Sequence, residues 1–424
     1  MKLDLETILK TGRIIVPKKV FKIFQPFYHW LLAFFAALVY RFPSRKIFVL
    51  GVTGTKGKTS TIEIINAILQ EAGYKTAVAS GLRFKIDKES KKNEHKMTMP
   101  GRFFLQKFLA ETVKSGCRYA ILEMTSEGAV QYRHKFIRLS AMLFTNLAPE
   151  HIESHGSFEN YRNAKLKFFK ALENSRAPKK TIVVNADDSS ASYFLNFNVE
   201  ERIAYSLKNL KNYKIKKSGI TFAFDKIVIN SKLSGEFNLY NILAAISFAK
   251  TQNIGLGTIK WAIEKFSGIE GRMEAIDEGQ DFKVTVDYAH TPDSLEKVYE
   301  IFQGSRKICV LGCAGGGRDR WKRREMGKIA SKHCDQIILT NEDPYDENPM
   351  KIIQDIKSGV STGRCEVISD RREAIRKALG YAKTGDAVII TGKGSEPWIM
   401  GPGGEKTKWD DREVCREELK KLQA

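Results

Sequence analysis

Cysteine is sparse and unpatterned in this 424-residue chain. Six cysteines form no CxxC pair and no metal-like spacing, which argues against a zinc module and predicts free thiols in a reducing cytoplasm. No internal repeat and no low-complexity tract is visible, which sets repeat arrays and disordered tails aside. Acidic side chains are outnumbered, 49 Asp+Glu against 70 Lys+Arg, for a formal charge of +21. Such a bias suits nucleic acid, an anionic membrane surface or phosphate-bearing ligands. Without a basic-aromatic recognition motif, nucleic acid is not expected as a partner. Hydrophobic content of 42% and charged content of 28% are ordinary for a globular protein, and the length allows two or three domains.

Long hydrophobic runs are also scarce. Residues 23–40 are eighteen positions without a charge, flanked by Lys18, Lys19 and Lys22 before and Arg41, Arg45 and Lys46 after. This is marginal for a membrane span, and basic residues on both sides oppose one. A helix lying in the inner membrane surface, a span and a helix packed on the protein itself all remain open readings. No small-residue cleavage site follows, so a secretory signal is not expected.

What is present is a phosphate loop. In Gly51-Val-Thr-Gly-Thr-Lys-Gly-Lys58-Thr59-Ser60-Thr61, glycines fall at 51, 54 and 57, whereas the general P-loop pattern wants one where Val52 stands. An apolar strand precedes the loop and helical spacing (Ile62, Ile65, Ala67, Ile68, Leu69) follows it, the geometry that holds a polyphosphate. Gly54, Thr55, Lys56, Gly57 and Ser60 would line it, Lys58 would reach the terminal phosphates, and the Thr59 hydroxyl would ligate magnesium.

From residue 47 short apolar runs alternate with helical stretches, predicting an α/β fold with mostly parallel sheets. Strands are expected at 47–52, 119–122, 141–144 and 181–184, then at 220–224 and 226–229. Helices are expected at 238–251 and 258–266. After a glycine-flanked break at 268–272, strands are expected at 282–286, 307–311, 336–339 and 387–391. Residues 85–96 read as a polar surface loop. The expected division is a basic, apolar segment 1–46, a central ATP-binding domain 47–268 and a C-terminal Rossmann-like α/β domain 269–424.

Polar clusters fall at predicted carboxyl ends of strands, where open α/β sheets bind ligands. Glu123 ends the second strand, a position suited to a magnesium ligand. Glu150, His151, Glu153 and His155 crowd six residues and read equally as a cation site or a polar loop. Lys165 by itself reads as a surface lysine. Asp287 and His290, the glycine loop 312–319, Glu342-Asp343-Pro344-Tyr345 and Gly392-Lys-Gly-Ser-Glu396 complete the set.

These blocks, in this order, resemble the Mur ligases of peptidoglycan synthesis, and within them the synthetases that add the third stem-peptide residue. The motifs are GTKGKTS, Thr145-Asn-Leu with Glu150-His151, His155-Gly-Ser, Tyr161 and Ala164-Lys165, Phe237-Asn238 to Ala245, Gly271-Arg-Met-Glu274, Asp287 to Leu295 and Asp410-Asp-Arg-Glu413. The resemblance covers about residues 47–424. It implies a central P-loop ATPase domain plus a C-terminal α/β domain, and an ATP-dependent amide-forming ligase acting through an acyl phosphate. Two magnesium ions are implied, one on Thr59 and Glu123 and a second helped by His151 and by Lys165 carbamylated by carbon dioxide. Asn238, Asn241, Arg272, Asp287 and His290 would contact the nucleotide. Thr98, Thr125, Gln131 and Arg133 would hold a nucleotide-sugar peptide acceptor. Arg318, Glu342, Asp343, Gly392 and Glu396 would bind the amino acid. A cytoplasmic monomer is expected.

Two departures bear on substrates. The family's UDP-gripping N-terminal domain is about twice as long as the residues ahead of the loop, so a lipid-linked carboxylate acceptor is an alternative. The diaminopimelate enzymes carry Asp-Asn-Pro-Arg where this sequence has Glu342-Asp343-Pro344-Tyr345. With no arginine and two acids, a cationic side chain such as that of lysine is favoured. An idle ATP-binding scaffold or a nucleic-acid-dependent ATPase would not need these clusters.

Overall fold

The computed structural model describes residues 18–95, 97–150, 152–361 and 364–423, with side chains from residue 25. The chain divides into two units. One takes the stretch up to Lys58, Gly73–Leu147 and Arg162–Ala204. The other takes Thr59–Ala72, Ala148–Tyr161 and Tyr205–Ala424.

The first unit carries an eight-stranded sheet in the order β4-β3-β2-β5-β1-β6-β7-β8. Its centre is parallel: β2 (Thr76–Ala79), β5 (Tyr119–Glu123), β1 (Phe48–Thr53), β6 (Ala141–Phe144) and β7 (Thr181–Asn185). These strands are buried almost throughout, which is why they read as continuous apolar runs. β8 (Glu201–Tyr205) closes one edge, and β3 (Arg83–Ile86) with β4 (Glu89–Lys92) forms an antiparallel hairpin at the other.

That hairpin corrects the surface-loop expectation for residues 85–96. Its pairing comes from the backbone edge of β2, with Asp87 turning the chain at φ 53°, so it needs no apolar pattern. The exposed positions Glu89, Ser90 and Lys91 on the outer strand discourage further pairing.

Residues Lys18–Val39 form a helix. Ala33, Ala36 and Ala37 are buried, and Trp30 and Phe34 each meet the Phe136 ring at 5.4 Å. The opposite face leaves Phe27, Phe35 and Leu38 at least half exposed. Among the described residues no helix is long and apolar enough to cross a membrane.

In the second unit β9 (Tyr213–Lys216), β10 (Gly219–Phe224) and β11 (Ile227–Ser231) form an antiparallel sheet. A six-stranded sheet runs β12-β13-β17-β14-β15-β16. β13 (Lys283–Asp287), β17 (Ala387–Thr391), β14 (Lys307–Leu311), β15 (Gln336–Leu339) and β16 (Cys365–Val367) are parallel, and β12 (Glu274–Ile276) is antiparallel to β13. Apolar cores cover both faces of this sheet, with Leu311, Leu339 and Ile389 on one and Val310, Ile338 and Ile390 on the other. Cys309 in β14 is disulfide-bonded to Cys334 after the helix Trp321–His333, which corrects the expectation of free thiols for that pair; the other four cysteines are free. The partners are 25 residues apart, so no local spacing announced them.

Candidate active site

The first unit builds a phosphate cradle at the carboxyl end of β1. Gly54 has φ 150°, and a Cβ there would lie 2.0 Å from the Thr145 hydroxyl, so only glycine fits; Gly57 turns at φ 78°. Asn146 staples the loop. Its side-chain oxygen accepts from the Lys56 N–H at 3.0 Å, its amide donates to the Lys56 carbonyl at 3.1 Å, and its own carbonyl accepts from the Thr55 N–H at 2.8 Å. The helix Lys58–Glu71 then starts with no acidic residue in its first turn, leaving its positive end to a ligand. Thr59 and Ser60, its next residues, are buried.

Two ammonium groups meet on one carbonyl of this loop. Lys58 Nζ donates to the Gly54 carbonyl at 3.1 Å and to that of Thr55 at 2.9 Å, and Lys165 Nζ donates to the Gly54 carbonyl at 2.9 Å. Lys165 is buried, on the helix Phe158–Glu173, which overturns its reading as a surface lysine. Glu123, at the end of β5 and also buried, accepts from the Gly81 N–H at 2.8 Å. Thr125 caps the short helix behind it, accepting from the Gly128 N–H at 3.2 Å. Glycine backbone, two cations and a helix start suit a polyphosphate.

For magnesium, His151 lies outside the described residues. Among the described residues no group of three His, Cys, Asp or Glu forms a metal cage. A single buried carboxylate beside a phosphate cradle suits a cation that takes most of its ligands from phosphate and water. Two further candidate carboxylates belong to the second unit. Glu150 faces His290 Nε2 at 3.3 Å, and Glu153 accepts from the Arg320 N–H at 3.0 Å.

In the second unit the strand ends form a buried charged cluster. Asp287 accepts from the N–H groups of Met273 and Ala289, both at 2.7 Å, and fixes the turn after β13. Arg272 lies 4.0 Å over the Tyr288 ring, and the Tyr288 hydroxyl donates to Glu396 at 3.0 Å. Lys393, fully buried, bridges Asp343 at 2.8 Å and Glu396 at 2.6 Å. Burial opposes its charge, but Glu396 and Asp343 outweigh burial and raise its pKa. Glu342 is buried with one carboxylate oxygen lacking any hydrogen-bond partner. Burial raises its pKa against the pull of Arg371. Gly392, at φ 109°, could carry no Cβ, since that atom would lie 2.3 Å from the Glu342 carboxylate. Arg371, buried and paired with Asp411 at 2.7 Å, also donates to the carbonyls of Asn341 at 3.2 Å and Thr391 at 2.7 Å, tying the loops after β15 and β17 together. Arg318 is exposed and lies in the field of Tyr288, Tyr345 and Glu396. Asn241 accepts from Thr61 at 3.3 Å and donates to Asn238 at 3.1 Å, all three being buried.

The structure thus brings Gly54, Lys58 and Lys165 together, and groups Glu342, Asp343, Gly392 and Glu396 at one sheet edge. Sequence reasoning passed over Asn146, Lys393, Tyr288 and the Arg371–Asp411 pair. Asn146 and Lys393 stand inside motifs already quoted. Arg371 carried no signal, because its role depends on a partner 40 residues away.

The chain matches the Mur ligase middle domain over residues 52–249 and the glutamate ligase domain of Mur ligases over residues 271–394. The UDP-N-acetylmuramoyl-L-alanyl-D-glutamate–2,6-diaminopimelate ligase of Syntrophomonas wolfei is 38% identical over 404 residues, covering 92% of this chain and 81% of that protein. The Bacillus cereus protein of the same name is 35% identical over 402 residues, with 92% and 81% covered. A solved structure of a ligase of that name superposes with TM-score 0.61 at 30% identity, covering 89% of this chain and 79% of that one. Mycobacterium tuberculosis folylpolyglutamate synthase shares the fold at TM-score 0.69 and 13% identity, with 86% and 92% covered. The phosphate cradle, the strand-end cluster and these matches agree: the chain belongs to the Mur ligase family.

Proposed function

We propose that the chain is an ATP-dependent ligase of peptidoglycan precursor synthesis, joining an amino acid to a UDP-muramoyl-dipeptide acceptor as its third stem residue. The loop that holds Lys58 Nζ at the Gly54 and Thr55 carbonyls, at the start of a helix with no acid in its first turn, carries this reading. An acceptor carboxylate must approach the γ-phosphate of ATP, and two anions meet only where cations and N–H donors neutralise both. One carboxylate oxygen bonds to phosphorus as ADP leaves, giving an acyl phosphate. The amine then attacks the carbonyl carbon, loses a proton, and phosphate departs. In this reading residues 47–268 serve the nucleotide and acceptor, and residues 269–424 serve the amino acid. Lys58 and the loop amides hold phosphate oxygens. Asn238, Asn241, Arg272, Asp287 and His290 serve the nucleotide, and Thr98, Thr125, Gln131 and Arg133 the acceptor. Thr59 and Glu123 offer oxygens to magnesium, which would supply charge neutralisation between phosphates. Glu396, which Lys393 and Tyr288 hold, would take the proton of the amine.

The amino acid we favour has a cationic side chain. Arg318 would take its α-carboxylate, and Glu342, buried with a free oxygen, would be paired by an ammonium and left worse off by a second carboxylate. Phosphate release with UDP-muramoyl-dipeptide as acceptor should be stimulated by lysine more than by diaminopimelate. Equal or faster turnover of diaminopimelate would overturn this assignment, and no stimulation by any amino acid would overturn the ligase reading.

Lys165 is proposed to react with carbon dioxide: its ammonium first loses a proton, the amine nitrogen then bonds to carbon and gives up a second proton, and a cation becomes a carboxylate suited to a second magnesium ion. Lys165→Ala should lose at least about a hundredfold in rate, with partial rescue by formate or acetate; a variant that no short carboxylate restores argues against the carbamate.

We further propose that residues 10–46 associate peripherally with the cytoplasmic face of an anionic membrane. Phe27, Phe35 and Leu38 form an exposed apolar stripe on the helix Lys18–Val39, while Arg41, Arg45 and Lys46 after it are exposed cations. The protein should sediment with anionic phospholipid vesicles, less at high salt, and Phe35→Glu with Leu38→Glu should abolish it. Equal recovery with neutral vesicles, or no effect of the pair, would refute the contact.

A further inference from the structure

Pairing between β6 and β7 ends at Phe144 opposite Val184. Beyond that point the main chain of residues 145–147 has no ladder to close it, and a carbonyl or N–H left without a partner is costly. Thr145 still donates its N–H to the Thr53 carbonyl at 3.0 Å. Two side chains from the end of β7 take the groups that remain. Asn185, buried, donates through Nδ2 to the Thr145 carbonyl at 2.9 Å, and Asp188 accepts from the Leu147 N–H at 2.7 Å. Each is fixed by a second bond of its own. Asn185 Oδ1 accepts from the Asp187 N–H at 3.1 Å, which sets the way its amide faces. The other Asp188 oxygen accepts from the Ser190 N–H at 2.8 Å. Asp188 thus spends both carboxylate oxygens on main-chain donors, bonds that its charge strengthens.

The far side of residues 145–147 shapes the phosphate loop. The Thr145 hydroxyl donates to the Lys56 carbonyl at 2.7 Å, and Asn146 holds Lys56 and Thr55 through the three bonds described above. All of these groups lie in the first unit. The sheet itself does not need the two side chains from β7. The strands β6 and β7 pair over residues 141–144 and 181–184, and both are buried along their length. Removing Asn185 or Asp188 therefore leaves the strands paired and releases only the segment that shapes the loop. A site built from oriented N–H groups loses much of its affinity and rate to such a displacement.

We propose that Asn185 and Asp188 are positioning residues for the nucleotide: without touching phosphate, they hold residues 145–147 where Thr145 and Asn146 shape the phosphate loop. This rests on the nucleotide reading above. Equilibrium binding of ADP with magnesium ion to the full chain tests it without turnover. Asp188→Ala, at a half-buried position, should weaken that binding at least about tenfold, and Asn185→Ala should do the same. Asp188→Asn, which keeps one acceptor, should fall between. KM for ATP should rise in step, while KM for UDP-muramoyl-dipeptide stays within about twofold. Because the effect passes through residues 145–147, Asn146→Ala should absorb most of it. Asp188→Ala added to Asn146→Ala should cost less than about a further threefold, whereas independent contributions would multiply. A full further tenfold loss, unchanged ADP affinity in Asp188→Ala, or an equal rise in both KM values would overturn the assignment while sparing the nucleotide reading. Absent ADP binding by the unaltered protein would overturn both.

Discussion

The carbonyl oxygen of Gly54 takes two ammonium groups, Lys58 at 3.1 Å and Lys165 at 2.9 Å, and much of the first unit exists to make that possible. Gly54 must lack a side chain because Thr145 stands where a Cβ would go. Asn146 pins the loop from three sides, so the amides keep one orientation. The parallel strands β1, β5 and β6 bring the loop, Glu123 and the Thr145–Asn146 pair to one edge of the sheet. Lys58, half-buried, stands beside the loop amides at the start of a helix with no acid in its first turn, so the loop presents positive charge to a polyphosphate.

The second unit solves a different problem with the same architecture. It buries the carboxylates of Glu342 and Asp343 after β15 and of Glu418 on the helix Asp411–Gln423, and treats each differently. Asp343 is neutralised by Lys393, and Glu418 by Arg372 and Arg376. Glu342 alone keeps an oxygen without a partner. The Arg371–Asp411 pair locks the loops around it, so this unsatisfied group cannot relax by moving. Groups left costly in a rigid frame mark places where a ligand supplies the missing partner.

Much of this was legible in the sequence. Parallel strands buried on both faces read as apolar runs, so β5, β6, β14, β15 and β17 fell within a residue of expectation. The glycine spacing of the phosphate loop, odd for a P-loop, was itself a family signal. What stayed hidden depends on partners far away in sequence. The β3–β4 hairpin borrows its order from the edge of β2, and Cys309 finds Cys334 only once β14 and its helix are folded. Lys165 is polar on paper and buried in fact, because its partner is a carbonyl 111 residues earlier. The Lys18–Val39 helix docks through three alanines, whose small side chains give little hint of which face is covered.

The central claim is that the acceptor's carboxylate becomes an acyl phosphate at the Lys58–Lys165 site. Transfer of oxygen-18 from that carboxylate tests it most directly. With the acceptor labelled and the amino acid present, the account predicts one labelled oxygen in each released inorganic phosphate. Phosphate carrying oxygen from solvent water alone would contradict it.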